Sequence, residues 1–428
     1  MDLEKSLNKL YSLHTFGIKL GLENIQKFLD YLGNPQRKLQ AFHIAGSNGK
    51  GSTASFIASI LKEFHYKVGL YTSPHFVRFN ERIQILHSEK KLHRDEIPDE
   101  YIAQFISANE RFIDEQKLTF FEVTTAMAFK YFREQKVDYA VIETGLGGRL
   151  DATNVLNPNA AVITSISLEH TNILGDTIEQ IASEKAAIIK KNAKVFTGKI
   201  PESAHKIIES RCSELGCDLF LIRDFLIEKK DLVELYTEEM EVDDWTMPLK
   251  GDYQKYNAAL AAMAVSKTLD TDNFGAISHG IKNVVTNTGL QGRYEFYFKK
   301  PDIIFDSAHN PESVEHFLSE FRKEKDKYSK RILLFAAMKD KAVKEMFQML
   351  RNFFDEIHVT TIDFERASSL EELTGISKQI NLSVIPEENP IKFISEFEQG
   401  DRRKCLVVLG SMYLLGVIKS SAMKDKIA

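Results

Sequence analysis

Apolar and polar positions along the chain follow two alternating periods. Short β-branched runs at 41–45, 68–71, 138–142, 161–166 and 194–197 read as strands, and segments of helical spacing lie between several of them, clearest at 121–134 and 177–191. That alternation predicts stacked βα units and a mainly parallel sheet, the α/β class. After Asp218 the rhythm changes. Residues 219–222 and 232–237 read as β-structure, which predicts a hairpin ahead of an acidic stretch that ends at Trp245; the alanine-rich run 254–269 then returns to helix.

Asn, Thr and Gly cluster at 283–292, which predicts a linker there. A second βα series follows at 303–305, 332–336, 356–360 and 406–409, and Asn310 and Pro311 supply a cap and a first position for a helix over 312–324. Two domains result, 1–288 and a smaller 294–428. No internal repeat of fixed period and no low-complexity segment interrupts them.

Composition narrows the function classes. Hydrophobic residues at 43% and charged residues at 27% describe a globular chain able to fill more than one core. Lys+Arg total 56 against Asp+Glu 61, a formal charge of −5, which supplies no attraction to a polyanion, so no nucleic-acid partner is expected. No apolar run reaches the 18 or so residues of a membrane span, and the first residues mix charges into their apolar positions, unlike a secretory leader. Cys212, Cys217 and Cys405 cannot all pair, and no His stands at metal-finger spacing beside them; a reducing, cytoplasmic setting is expected, with no membrane partner.

The sharpest local signal is Gly46-Ser-Asn-Gly-Lys-Gly-Ser-Thr53, placed between a strand and a helix. Glycines there let successive amides point inward, the helix N-terminus adds partial positive charge, and Lys50 adds a full one. A nucleoside triphosphate is the natural ligand, with Asn48, Gly49, Lys50, Gly51 and Ser52 around its phosphates. The spacing departs from the longer G-x-x-x-x-G-K-[ST] loop, since two residues separate Gly46 from Gly49 and Gly51 follows the lysine. A second signal is Glu143, delivered to the end of an apolar strand just before the glycine cluster 145–148. Ligands of open α/β sheets bind beyond such ends, and a carboxylate there suits Mg²⁺.

The G-x-x-G-K loop with glycine after its lysine resembles the Mur ligase superfamily, and within it the folylpolyglutamate synthase/dihydrofolate synthase branch. Further motifs of that branch follow in order along nearly the whole chain: Thr72-Ser-Pro-His75, Glu169-His170 with Leu174-Gly175, Glu184-Lys185-Ala186, Gln254 with Asn257-Ala258, Gly292-Arg293 with Glu295, and Asp306-Ser-Ala-His-Asn-Pro311. Departures from the branch pattern occur at Glu169, Ala187, Tyr253 and Ser307.

The resemblance implies a P-loop-type ATPase domain followed by a Rossmann-like domain. It implies an ATP-dependent ligase that adds L-glutamate to dihydropteroate, to reduced folates or to both, through an acyl phosphate. Ser73, Glu143 and His170 would hold magnesium, with two ions when Lys185 is carbamylated. Asn257 would lie near the adenine, Arg293 near the ATP phosphates, Asp306 at the ribose and His309 near the transferred phosphate. Leu118, Thr119, Phe120 and Phe121, with Leu150, Asp151 and Ala152, match segments lining the pteroate pocket, to which the N-terminal helices over 12–33 would contribute. Only 45 residues precede Gly46, which argues against a cell-wall ligase carrying a UDP-sugar domain. A monomer is expected, and closure of the two domains about 286–292 would exclude water from the acyl phosphate. The alternatives are a nucleotide-binding regulatory protein without turnover on the same scaffold, and another Mur-type amino-acid ligase.

Overall fold

The structure is a computed structural model that describes residues 3–13, 21–87, 94–229, 232–237, 240–241 and 247–425. Trp245, and Phe16 and Gly17 of the N-terminal segment, lie outside the described residues. The chain divides into two compact units: 1–75, 79–248 and 255–289 form the first, and 76–78, 249–254 and 290–428 the second. Residues 76–78 and 249–254 therefore cluster with the second unit, although the sequence division at 288 placed them in the first.

The first unit is built on eight strands: β1 (Ala41–Ala45), β2 (Val68–Tyr71), β3 (Ile83–Leu86), β4 (Arg94–Glu96), β5 (Tyr139–Glu143), β6 (Ala160–Ile163), β7 (Lys194–Thr197) and β8 (Leu219–Leu221). Their order is β4-β3-β2-β5-β1-β6-β7-β8, parallel except where β3 meets β2 and β4. β1, β2 and β6 are buried throughout, as central strands covered on both faces must be, which is why they read as apolar runs apart from His43 of β1. Helices Phe120–Glu134 and Lys50–Glu63 bury most of their residues.

The expected hairpin is resolved differently. β8 joins the main sheet beside β7, while the antiparallel pairing belongs to a separate small sheet of β9 (Leu226–Lys229), β10 (Leu232–Thr237) and β11 (Met240–Glu241). The helix expected over 177–191 ends at Ala186. There the backbone tightens, Ile188 bonding Lys185 and Ile189 bonding Ala186, which turns both isoleucines into the core. The expected linker also changes character. Val284–Thr288 is a short helix of the first unit, with Asn287 buried and its amide nitrogen 2.9 Å from both Ser59 Oγ and Glu63 Oε1.

The second unit carries six strands: β12 (Glu295–Phe298), β13 (Asp302–Phe305), β14 (Lys330–Phe335), β15 (Glu356–Val359), β16 (Ile385–Pro386) and β17 (Lys404–Leu409). Their order is β12-β13-β17-β14-β15-β16, and β12 alone among them runs antiparallel to its neighbour. Phe317 and Phe321 of helix Pro311–Arg322 pack with Leu333, Phe335 and Phe347 on one face of this sheet. Among the described residues no helix is long and apolar enough to cross a membrane.

Candidate active site

The strand order places a crevice beside β1. The chain leaves β1 and passes over β5 to reach β2 on one side, whereas it leaves β6 directly for β7 on the other. Connections that depart in opposite directions open a cleft beyond the carboxyl ends of β1 and β6, the usual place for a ligand in an open α/β sheet. The phosphate loop follows β1, Glu143 closes β5 on one side of it, and 164–170 follow β6 on the other.

The loop is fastened to the β6 side. Ser47 N donates to Ser165 O at 2.9 Å and Asn48 N to Ser165 Oγ at 2.9 Å. Ser47 Oγ exchanges bonds with Ser167 O and N at 3.2 and 3.0 Å. Gly49 caps the helix Lys50–Glu63 in the left-handed region at φ 84°, where a side chain is strained. A Cβ on Gly49 would also lie 2.5 Å from Asn257 Oδ1. Lys50 Nζ lies over the loop, donating to Gly46 O at 2.7 Å and Ser47 O at 3.2 Å. Gly51 and Ser52 continue the first helical turn. Asn257 sits against this loop, accepting from Thr53 Oγ1 at 3.4 Å.

Beside the loop, Glu143 is buried and accepts from Ser73 N at 3.0 Å, so the two expected magnesium residues of 73 and 143 are in contact. No group of three or more His, Cys, Asp or Glu among the described residues is arranged to hold a metal by itself. Mg²⁺ needs no such cage, since it binds through one or two carboxylates, waters and substrate phosphates, and Glu143 facing a phosphate loop fits that demand.

Lys185 is the third feature. It is among the largest fully buried side chains, at 1% exposed, and its Nζ lies 2.7 Å from Glu169 Oε1. Burial pushes the Lys185 amine down to about 8, with Glu169 opposing and Lys50 adding to the effect. Burial would raise the Glu169 carboxyl, but Lys50 and Lys185 outweigh it and hold the group at about 2. An ammonium cannot bind Mg²⁺, whereas an amine so displaced has the neutral form from which a carbamate is made. His170, in left-handed geometry at φ 46°, caps the short helix Thr171–Leu174 next to this pair. Glu169 is the site residue that sequence reasoning misses: it stands in its motif only as a departure from the branch pattern, and its pairing with Lys185 is a tertiary fact.

The expected pteroate-pocket residues divide. Leu118 is fully buried, and Thr119 spends its hydroxyl and amide on a reciprocal cap with Glu122. Phe120 is core, stacked on Tyr11 at 5.9 Å with the Arg82 guanidinium 5.1 Å above its ring. Phe121 is half-buried beside Tyr71 and close against Gly145, and Leu150 is also half-buried. Asp151 turns inward and accepts from Gly145 N and Leu146 N, both at 2.8 Å, next to the buried Ala152.

In the second unit, Asp306 follows β13 and is buried. Its two oxygens accept from Tyr294 N at 2.7 Å and Ala308 N at 2.8 Å, which ties the 292–294 turn to the strand end. Burial pushes the Asp306 carboxyl up to about 6, against the pull of Arg293, the two amides and Tyr253. Ser307, where the branch pattern has glycine, donates Oγ to Gly292 O at 2.9 Å, so its hydroxyl reinforces the same turn. Arg293 Nη1 donates to Gly292 O at 3.0 Å, and His309 Nδ1 lies 2.9 Å from Ser307 O. Asn310 and Ser313 form a reciprocal cap, with Pro311 in the first turn.

Comparison with known proteins covers both units. The Mur ligase middle domain matches residues 44–265, and the Mur ligase glutamate ligase domain matches residues 292–412. The chain is 35% identical over 420 residues to the dihydrofolate synthase/folylpolyglutamate synthase of Bacillus subtilis, covering 94% of this chain and 95% of that protein. It is 31% identical over 378 residues to the Escherichia coli protein of the same name, covering 86% and 83%. Among solved structures, E. coli FolC in complex with DHPP and ADP superposes with a TM-score of 0.86 at 26% identity, over 100% of this chain and 99% of that one. A Mycobacterium tuberculosis folylpolyglutamate synthase complexed with ADP and AMPPCP gives 0.87 at 28% identity, over 98% and 99%.

Proposed function

The chain belongs to the Mur ligase family, in its dihydrofolate synthase/folylpolyglutamate synthase branch, and from that premise we propose that it joins L-glutamate to dihydropteroate and to reduced folates with cleavage of ATP. A carboxylate is a poor acyl electrophile. Its oxygen therefore attacks the γ-phosphorus of ATP, ADP leaves, and the acyl phosphate so formed is attacked by the glutamate amine; the amide bond forms, phosphate departs and the amine proton is released. No nucleophilic side chain is needed, so the protein's work is alignment and charge neutralisation.

The residue roles belong to the same proposal. Lys50 and the amides of Asn48, Gly49, Gly51 and Ser52 bind the phosphates, and Asn257 steadies the loop at Gly49. Ser73, Glu143 and His170 are the residues that would hold magnesium. Bound there, Mg²⁺ would neutralise charge on the phosphoryl oxygens. Lys185, as a carbamate, would hold a second ion, with Glu169 fixing its position in the free protein. The resemblance assigns Arg293 to phosphate oxygens, Asp306 to the ribose and His309 to the transferred group, roles whose chemistry suits a guanidinium, a carboxylate and an imidazole. Phe121, Leu150 and Ala152 offer the more apolar faces to the pterin, with Leu118, Thr119, Phe120 and Asp151 behind them. A cytoplasmic monomer completes the reading.

The observation that carries this reading is the convergence of Lys50, Glu143 and the Lys185–Glu169 pair at the carboxyl ends of β1, β5 and β6, which are adjacent in the sheet. ADP release in the presence of glutamate tests it, with dihydropteroate and tetrahydrofolate as separate acceptors. Lys50→Ala and Glu143→Ala should each reduce the rate on the order of a hundredfold or more. Nucleotide binding with no acceptor-dependent turnover by the wild-type protein would favour the regulatory alternative.

A further inference from the structure

His43 lies in the middle of β1, three residues before the phosphate loop begins at Gly46, and is fully buried. Its Nε2 is 2.7 Å from Thr153 Oγ1, and its Nδ1 is buried without a hydrogen-bond partner among the described residues. The Thr153 hydroxyl has one proton, and it goes to Asp151 Oδ1. Toward His43 the hydroxyl is therefore an acceptor, which makes Nε2 the protonated nitrogen and assigns the tautomer. Asp151 gathers the rest of the chain: Thr153 N donates to Oδ1 at 3.0 Å, and Gly145 N and Leu146 N donate to Oδ2. A continuous path of bonds thus runs from the central strand through Thr153 and Asp151 to the turn just after Glu143.

We propose that His43 is a positioning residue for the acceptor side of the ligation, acting through Thr153 and Asp151 on the Gly145–Leu146 turn. The inference rests on the ligase reading given above. Three features support a role beyond filling space. An imidazole is a costly occupant of a buried strand when one nitrogen has no partner, and an apolar side chain would avoid that cost. Burial, assisted by Lys190, pushes the imidazole down to about 3, so the donor at Nε2 is present at every working pH. The turn it steadies also presents Gly145 to the Phe121 ring, where a Cβ would fall 2.5 Å from Phe121 Cζ, so a loosened turn releases an acceptor-side aromatic. Glu143 is held separately, by its place in β5 and by Ser73 N, so the nucleotide side is insulated from the same loss.

Thr153→Val, nearly isosteric, and His43→Leu break the path at two points. Each should raise KM for dihydropteroate on the order of tenfold, as loss of an outer support to a binding group does, while KM for ATP stays within about twofold. Hydrogen exchange of the Gly145 and Leu146 amides should accelerate in both variants. His43→Gln places an amide N–H near the Nε2 position and should restore most of the lost kcat/KM, whereas His43→Asn should not. The proposal is overturned when the variants melt earlier yet keep the wild-type KM for the acceptor and unchanged exchange at 145–146, or when His43→Gln is as impaired as His43→Leu. A wild-type protein that turns over no folate acceptor would count against the ligase reading, and the exchange measurement would still judge the His43 path.

Discussion

Gly148→Ala tests how closely the glycine turn and the Lys185 helix approach. A Cβ on Gly148 would fall 2.5 Å from the Glu184 carbonyl oxygen and 3.1 Å from both Cα and O of Lys185. All three are backbone atoms, so no side chain can swing aside. Ordinary contact begins at 3.4 Å, and the two segments must separate by 3.4 − 2.5, about 0.9 Å, at the tightest point. Arg149 N now donates to Glu184 O at 2.8 Å, and the same displacement carries that bond past its useful length. Overpacking of about 1–3 kcal/mol together with a lost bond of about 1 kcal/mol gives a destabilisation of about 2–4 kcal/mol. The effect on turnover is separate. Lys185 moves with Glu184 and leaves its 2.7 Å contact with Glu169, and a shift approaching 1 Å can cost on the order of a hundredfold in rate. Urea unfolding and ADP release measure the two effects on one preparation. Gly375→Ala is the matching control: it lies within helix Leu370–Gln379 and its Cβ would meet nothing within 4 Å, so it should stabilise by about 0.5–1 kcal/mol and leave turnover alone. A Gly148→Ala protein that unfolds within about 0.5 kcal/mol of wild type and ligates at the wild-type rate would refute the reasoning.

Three further outcomes are expected. Asn257→Ala removes the side chain lying against Gly49 and should raise KM for ATP several-fold without changing the acceptor KM; equal effects on both would contradict its place at the loop. With its amine pushed down to about 8, Lys185 is about one-tenth neutral at pH 7 and half neutral at pH 8, so ¹³C-bicarbonate should label it more at pH 8. Glu169→Gln removes a carboxylate that supports the charged amine and should move that labelling to lower pH; no label at either pH would dispose of the carbamate. Asp306 carries a sign that can be checked: its carboxyl is raised from 3.8 to about 6, so between those values the unfolded chain has released a proton that the folded unit retains. Stability of the second unit should therefore fall as pH rises through that window, by roughly 3 kcal/mol at most, and Asp306→Asn should flatten the profile measured by urea unfolding.

Central strands were legible because burial on both faces leaves a dominantly apolar run, as at Ala41–Ala45, where His43 is the exception, and Val68–Tyr71. The sheet margins were not. β4 is Arg-Asp-Glu and half-buried, and β12 is edge structure paired antiparallel; such strands are identified by their partners rather than by their own polarity. The boundary between the units does fall inside the 283–292 cluster, at 289–290, but its first part is not a linker, for a related reason. Asn and Thr favour turns, but Asn287 satisfies its amide on Ser59 and Glu63, more than two hundred residues earlier, and the segment closes as a helix against the first unit. Several pteroate-pocket assignments were diluted in the same way. Motif resemblance marks Leu118 and Thr119 as belonging to the pocket segment but cannot separate a wall from the core and cap that hold the wall in place.

The site shows why residue types were easier to read than their relations. Lys50 and His170 stand beyond strands and Glu143 ends one, and the sequence displays that context locally. Their convergence depends on sheet order, in which β1 lies between β5 and β6 although β2, β3 and β4 separate it from β5 along the chain. No periodicity encodes that order. It arises because the chain crosses the position of β5 on leaving β1 and crosses β1 on leaving β5, so the two later strands, β5 and β6, flank the earliest, β1. Once that order is set, Glu169 and Lys185, 16 positions apart, can meet beneath the phosphate loop, and a buried lysine acquires the displaced amine that a sequence match could only suggest. The same order sets Thr153, 110 residues downstream, against His43, so the support of the site and the site itself follow from one crossing of strands.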